Sequence, residues 1–263
     1  MKKIKIGVVP YMNAKPLIYG LENNKAIKLD FDVPCMLTEM LSRGMVDVAI
    51  VPSTEYFLTN HLLIIPDIAI ASRGEVKSVK LLVRNHPVER VALDIASNTS
   101  KVLTRIIMNE KYHLDPDFTS WDPSEENLDA QADAFLVIGD NALKTNNTNC
   151  FTIDLGKEWQ DMTHLPFVYA FWATKRKTKI PGIKDILQEA KAKGLGKLEE
   201  LSAVEAKRLG LTVEECFDYL SKNICYDLGE KELAGLITFY RYAVKMGIAK
   251  EEIRLRQIEF YNA

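Results

Sequence analysis

The feature that most constrains this chain is the alternation, over its first half, of short β-branched apolar runs with helix-like segments. Lys3–Val9 reads as a strand, and Lys15–Glu22 as a helix opened by Asn13 and Pro16. Lys28–Val33 alternates like a strand, Cys35–Arg43 reads as a helix stopped at Gly44, and Val46–Val51 is a buried-strand run. Ser53 is placed to cap a short helix over Glu55–Asn60. A β-α-β-α-β rhythm calls for a mainly parallel sheet covered by helices. Further strands are expected at Lys77–Val83, Val91–Leu93, Phe118–Trp121, Ala134–Ile138, Cys150–Asp154 and Phe167–Thr174. After Ser97–Ser100, Val102, Leu103, Ile106 and Ile107 recur at helical spacing. Asn146–Asn149 reads as a polar loop.

Beyond Lys175 the character changes. Lys184–Lys193, Lys197–Lys207, Val213–Lys222 and Glu230–Met246 look helical, the last with an apolar stripe of Leu233, Leu236, Ile237, Tyr240 and Val244. Breaks at residues 84–90 and 174–182 bracket the middle segment. The expected organisation is therefore an α/β protein of two lobes. One lobe is discontinuous, residues 1–84 plus 175–263, and carries the C-terminal helices. The other, residues 85–174, is inserted. Such a shape puts a ligand cleft between the lobes and a hinge at the crossings.

Composition narrows the function. The 263 residues are 47% hydrophobic and 27% charged, with a formal net charge of −2. That balance excludes a disordered chain and disfavours a nucleic-acid binder, which needs a basic face. The start, Met-Lys-Lys-Ile-Lys-Ile-Gly-Val-Val-Pro, is cut short at Pro10 and reads as a strand rather than an export signal. A cytoplasmic protein is expected, and no run is long enough to span a membrane. The four cysteines and four histidines are scattered with no metal-ligand spacing, so no metal is expected. There is no Walker A motif, no G-x-G-x-x-G after a strand and no G-x-S-x-G elbow, so no nucleotide cofactor and no acyl-serine chemistry are expected.

The candidate site residues cluster where strands hand over to helices, the place where ligands gather in α/β sheets. Asn13 can present an amide to a ligand or cap the following helix. Ser53 can do either with its hydroxyl. Arg73 is a plain turn residue or the cation for an acidic substrate, and Ser72 stands beside it. Ser78 sits inside an expected strand, where a polar residue faces water or a cleft. Ser97, Thr99 and Ser100 crown a helix N-terminus, which suits a carboxylate but also suits ordinary capping. Gly139 lets a backbone approach a ligand, and Asp140 is a helix cap or an orienting acid. The aromatics of Phe167–Trp172 line a cleft or pack in the core.

Taken together and in this order, Tyr11-Met12-Asn13-Ala14-Lys15-Pro16, Val51-Pro52-Ser53-Thr54-Glu55-Tyr56 and Asp154-Leu155-Gly156-Lys157-Glu158-Trp159 resemble the chorismate dehydratase family of the futalosine route to menaquinone. Pro66–Ile70, Gly74–Val79, Leu93–Ser100 and Ile138–Leu143 add to the likeness, which runs from the first strand to about Trp172. The resemblance implies a periplasmic-binding-protein type 2-like fold used as an enzyme. It also implies the reaction, loss of water from chorismate to give 3-[(1-carboxyvinyl)oxy]benzoate. The sister family, 1,4-dihydroxy-6-naphthoate synthase, opens with a Cys-Pro-Asn-Asp segment instead and uses a histidine base. A non-catalytic small-acid-binding protein would share the same fold.

With a dicarboxylate substrate implied, the helix N-terminus at Ser97–Ser100 suits one carboxylate. Asn13, Ser53, Ser72 and Ser78 are then candidates for the other carboxylate and the leaving hydroxyl. Asn13 and Ser78 are the expected catalytic pair. Ser53, Ser72, Ser97, Thr99, Ser100, Gly139 and Asp140 are the expected substrate-binding set. No carboxylate or histidine stands out as a base, and the proton acceptor is either a protein group or the substrate's own side-chain carboxylate, with the protein mainly positioning the latter. A monomer and a homodimer both fit the sequence.

Overall fold

The structure is a computed structural model that describes residues 3–59, 61–123, 132–145, 149–250 and 258–262. The Asn146–Asn149 loop falls mostly outside them. The strands are β1 Ile4–Val8, β2 Ile27–Phe31, β3 Val48–Pro52, β4 Leu62–Ser72, β5 Val79–Val83, β6 Arg90–Asp94, β7 Asp117–Trp121, β8 Ala134–Ile138, β9 Phe151–Asp154 and β10 Phe167–Lys175. The α-helices are α1 Lys15–Ile18, α2 Pro34–Arg43, α3 Ser53–Leu58, α4 Asn98–Glu110, α5 Gly139–Lys144, α6 Leu155–Thr163, α7 Ile183–Leu195, α8 Leu198–Leu209, α9 Val213–Asp218 and α10 Glu230–Lys245.

Two five-stranded sheets organise the molecule, in the orders β2-β1-β3-β10-β4 and β7-β6-β8-β5-β9. In the first, β1 runs parallel to β2 and β3, and β10 runs antiparallel to β3 and β4. In the second, β6 runs parallel to β7 and β8, and β5 runs antiparallel to β8 and β9. Every residue of β3 and of β8 is buried, which is why these strands read as continuous apolar runs. Helix α2 packs tightly on the first sheet: a methyl at Gly7 would meet Leu37 Cδ2 at 2.9 Å. Gly44 ends α2 in the left-handed conformation, φ +71°, as its place in the sequence predicts.

Sheet pairing corrects the expected assignment of two strands. β5 was expected in the lobe of residues 1–84, yet it pairs with β8 and β9. β10 was expected in the inserted segment 85–174, yet it pairs with β3 and β4. The chain therefore crosses between the sheets before β5, over residues 73–78, and returns before β10. A strand's own pattern shows that it is a strand but not which edge it will pair with. β4, the longest strand, carries no clean alternation, because Asp67 sits at φ +71° behind Pro66.

The Asp154–Trp159 motif ties the two crossings together. The Asp154 carboxylate accepts the backbone N–H groups of Val76 at 3.0 Å and Lys77 at 2.7 Å on the outgoing crossing. It also caps α6 through Lys157 N at 3.0 Å. Gly156 permits the contact, since a methyl there would meet Gly74 O at 2.6 Å. Trp159 is fully buried and donates from Nε1 to Pro166 O at 3.2 Å.

The C-terminal helices cover the first sheet and reach the second. The buried face of α10 centres on Leu236, Phe239, Tyr240 and Ala243, whereas Leu233, Ile237 and Val244 of the expected stripe are only half-buried. The expected helix Val213–Lys222 breaks after Asp218 into a π-helical turn, Tyr219–Asn223. Lys15–Glu22 is α-helical only to Ile18, and its end runs into the 3-10 turn Leu21–Asn23. No helix among the described residues is long and apolar enough to cross a membrane.

Candidate functional site: the cleft between the sheets

A partly enclosed cavity lies between the two sheets. The first-sheet side supplies Tyr11 and Asn13 after β1, Pro52 at the end of β3, and Tyr169 on β10. The second-sheet side supplies Ser78 before β5, Ser97 and Ser100 at the start of α4, and Gly139 at the start of α5. Ile224 of the C-terminal part joins them. The rest of the described lining is apolar, and it contains no Asp, Glu, His, Lys, Arg or Cys.

Asn13 lies in the short 3-10 turn Met12–Ala14 and caps nothing: neither this turn nor α1 has a side-chain cap bond. That removes the capping reading. Its Oδ1 is buried without a hydrogen-bond partner, an arrangement that costs about 1–3 kcal/mol unless something else satisfies it. Ser78 is buried and faces the cavity, and it belongs to the bend before β5 rather than to the strand.

Tyr219 joins this pair from the C-terminal part. Burial raises its pKa well above the usual tyrosine value, while side-chain hydrogen bonds from Ser78 and Asn13 pull it the other way. Tyr219 carries no signal in the sequence, because nothing in an apparently regular helix announces a π-helical turn. Tyr169 is raised likewise by burial, and Tyr11 by burial and by Asp94 and Asp140. These phenols stay protonated at neutral pH, so they donate hydrogen bonds and do not act as bases.

The hydroxyls at α4 divide. Ser97 is the N-cap, with Oγ accepting Ser100 N at 3.2 Å and donating to Ser100 Oγ at 3.0 Å. Both serines line the cavity, where the positive end of a 13-residue helix favours an anion. Thr99 does not line it: its Oγ1 accepts the Thr54 backbone N–H at 3.1 Å across the cleft. Asn98 reaches the same helix, donating from Nδ2 to Glu55 Oε1 at 2.7 Å.

The remaining candidates stand back from the cavity or at its wall. Ser53 Oγ donates to Val168 O at 2.7 Å and caps nothing, binding β3 to β10. Ser72 Oγ donates to Gly74 O and contacts Tyr169 Oη, each at 3.1 Å, so it positions a lining phenol. Gly139 lines the cavity at φ +60°, where a methyl would lie 3.1 Å from the Tyr11 ring. Asp140 is outside the lining, with one oxygen on Met12 N at 3.0 Å and the other on Arg208 at 2.7 Å. Arg73 is committed to buried Glu232 at 2.9 Å. Of the aromatics, Phe167, Phe171 and Trp172 are core, and Tyr169 alone lines the cleft.

Two α/β sheets joined by paired crossings around a cleft define the periplasmic-binding-protein-like class. Solved structures agree. A protein from Archaeoglobus fulgidus aligns with a TM-score of 0.76 at 17% identity, over 94% of this chain and 98% of that one. The periplasmic aliphatic sulphonate binding protein of Escherichia coli aligns with a TM-score of 0.67 at 16% identity, over 99% and 98%. Within this class, the menaquinone biosynthesis family profile matches residues 4–245, and the chain belongs to that family. Chorismate dehydratase of Thermus thermophilus is 32% identical over 262 residues, 91% of this chain and 94% of that protein.

Proposed function

We propose that this protein is a chorismate dehydratase, a cytoplasmic carbon-oxygen lyase that converts chorismate to 3-[(1-carboxyvinyl)oxy]benzoate. The observation that carries the reading is kinship to a chorismate dehydratase over nearly the whole of both chains. The cleft supports it. A dicarboxylate fits a cavity that offers the α4 N-terminus with Ser97 and Ser100 on one side and Asn13, Ser78 and phenols on the other.

The reaction removes the ring hydroxyl and a neighbouring ring proton, and aromatisation drives it. The leaving oxygen departs as water once it has a proton, and the ring proton needs an acceptor. No described lining residue is a carboxylate or histidine. The substrate's side-chain carboxylate is therefore the acceptor, and the chain's task is to hold it against the ring proton. Hydrogen bonds from one of these two donor sets to the ring carboxylate stabilise the charge that spreads over the conjugated ring, while the other set holds the side-chain carboxylate. Closure of the lobes excludes water and strengthens these bonds.

The sister reaction of 1,4-dihydroxy-6-naphthoate synthase calls for a histidine base, and no described lining residue is one. The test is to incubate the purified protein separately with chorismate and with the futalosine-derived substrate of the sister enzyme. Loss of chorismate with growth of an aromatic product matching authentic 3-[(1-carboxyvinyl)oxy]benzoate is expected. Conversion of the second substrate alone, or binding of chorismate without turnover, overturns the reading.

A further inference from the structure

Asp140 was a candidate for contact with substrate, yet its buried carboxylate is spent on the protein. Oδ1 accepts the backbone N–H of Met12 at 3.0 Å. Oδ2 accepts Arg208 Nη2 at 2.7 Å, and Arg208 also pairs with buried Glu205 on its own helix. Three parts of the fold meet at this one side chain: α5 on the second sheet, the turn after β1 on the first, and α8 of the C-terminal part. Met12 immediately precedes Asn13. The turn that carries both has no side-chain cap, and the Asn13 Oδ1 has no partner to hold that end of the amide.

We propose that Asp140, fixed by Arg208, is a positioning residue that locks the Met12–Asn13 peptide against the second lobe and so aims the Asn13 amide into the cleft. The carboxylate reaches Met12 only while the lobes are together, so the same bond that closes the cleft also aligns the amide. Arg208 and Glu205 set the carboxylate's rotamer from the far side. The role of Asn13 in turnover rests on the dehydratase reading, whereas the clasp itself does not.

Hydrogen exchange of the Met12 amide, without substrate, tests the clasp on its own terms. In Asp140→Ala it should exchange at least about 10-fold faster than in the wild type, because its acceptor is gone. An unchanged rate overturns the proposal whatever reaction the protein runs. Kinetics then tests the positioning. Asp140→Ala should lower kcat on chorismate at least about 10-fold with KM within about 3-fold, and Arg208→Gln should move kcat the same way by less. In an Asn13→Ala background the Asp140→Ala loss should shrink to under about 2-fold, because the two act as a unit. Additive losses, or a raised KM at unchanged kcat as direct substrate contact would give, overturn the proposal. Because Arg208 also pairs with buried Glu205, thermal melts of both the Asp140 and the Arg208 variants serve as the control for folding. A wild type that leaves chorismate untouched defeats the dehydratase reading, and the exchange result still decides the clasp.

Discussion

The hydroxyl of Thr99, on the second lobe, accepts the backbone N–H of Thr54, on the first, at 3.1 Å. A donor in the first turn of α3, which has no side-chain cap of its own, is thus satisfied only by the opposite lobe. The neighbouring Asn98–Glu55 bond at 2.7 Å makes the same crossing. Closing the cleft and completing α3 are one event. Thr99→Val keeps the shape and removes the acceptor, which should cost the closed form about 1–3 kcal/mol, a factor of about 5 to 150 in its population. Small-angle scattering at saturating product should show a larger particle than the wild type. Ser100→Ala faces the cavity and should lower turnover while leaving the scattering profile unchanged. Indistinguishable profiles for Thr99→Val and the wild type would deny Thr99 this role.

Asn13→Ala separates function from stability. It deletes a buried acceptor that has no partner and one of the two side-chain hydrogen bonds to the Tyr219 phenol, which keeps its bond from Ser78, so the fold loses about one hydrogen bond. The expected result is a melting temperature within about 2–4 °C of the wild type, equivalent to about 1 kcal/mol, and chorismate turnover down at least about 100-fold. Asn13→Asp should be as inactive, because a carboxylate about 4 Å from the dianion costs about 4 kcal/mol at an effective dielectric near 20. It gains no capping benefit, since this turn has no side-chain cap. Near-normal turnover in either variant would remove Asn13 from the site.

Gly156→Ala should strike the staple between the crossings. The added methyl would lie 2.6 Å from Gly74 O and 2.8 Å from both Ser72 Oγ and Tyr169 Oη. The first belongs to the outgoing crossing, the second to the last residue of β4 and the third to a lining phenol. Overpacking of this kind costs about 1–3 kcal/mol, so a thermal melt should drop by several degrees and turnover should fall with it. A variant that melts with the wild type would mean that the crossings are looser than this contact implies.

Asp94 sets a pH dependence of stability. Burial at the end of β6 raises its pKa to about 6, against the pull of the Ala96 backbone N–H at 2.9 Å. The native state therefore holds its proton more tightly than the unfolded chain, and stability declines as pH rises from about 4 to about 6. Over that window the loss from this group is about 3 kcal/mol. Asp94→Asn removes the charge and should flatten the profile of melting temperature against pH between 4 and 7, as well as raising the melting point at neutral pH. A wild-type profile in the variant would assign the pH dependence to other carboxylates.

Much of the cleft was legible in the sequence, because its parts stand at strand ends with residue types that suit those places. Asn13, Ser78, Ser97, Ser100 and Gly139 do line it. Ser53, Ser72, Thr99 and Asp140 sit beside them in sequence and point elsewhere, since a hydroxyl or carboxylate at a strand end serves the nearest unsatisfied backbone group as readily as a ligand. Only the partner's position tells which: Val168, Gly74, Thr54 and Met12 are respectively 115, 2, 45 and 128 residues away. Tyr219 left no trace for a related reason. Its closeness to Asn13 and Ser78 depends on a π-helical turn and on helices that return across the cleft, which hydropathy periodicity does not encode.

On the proposed mechanism this cleft dehydrates chorismate by positioning it, with the substrate's own side-chain carboxylate accepting the ring proton. Mass spectrometry of two parallel incubations with the purified protein tests it most directly, one with chorismate and one with chorismate methyl-esterified at the side-chain carboxylate. Chorismate should lose one water, and the ester, while still bound, should stay intact. Intact chorismate in the presence of folded protein, or an ester that loses water as fast as chorismate, would contradict it.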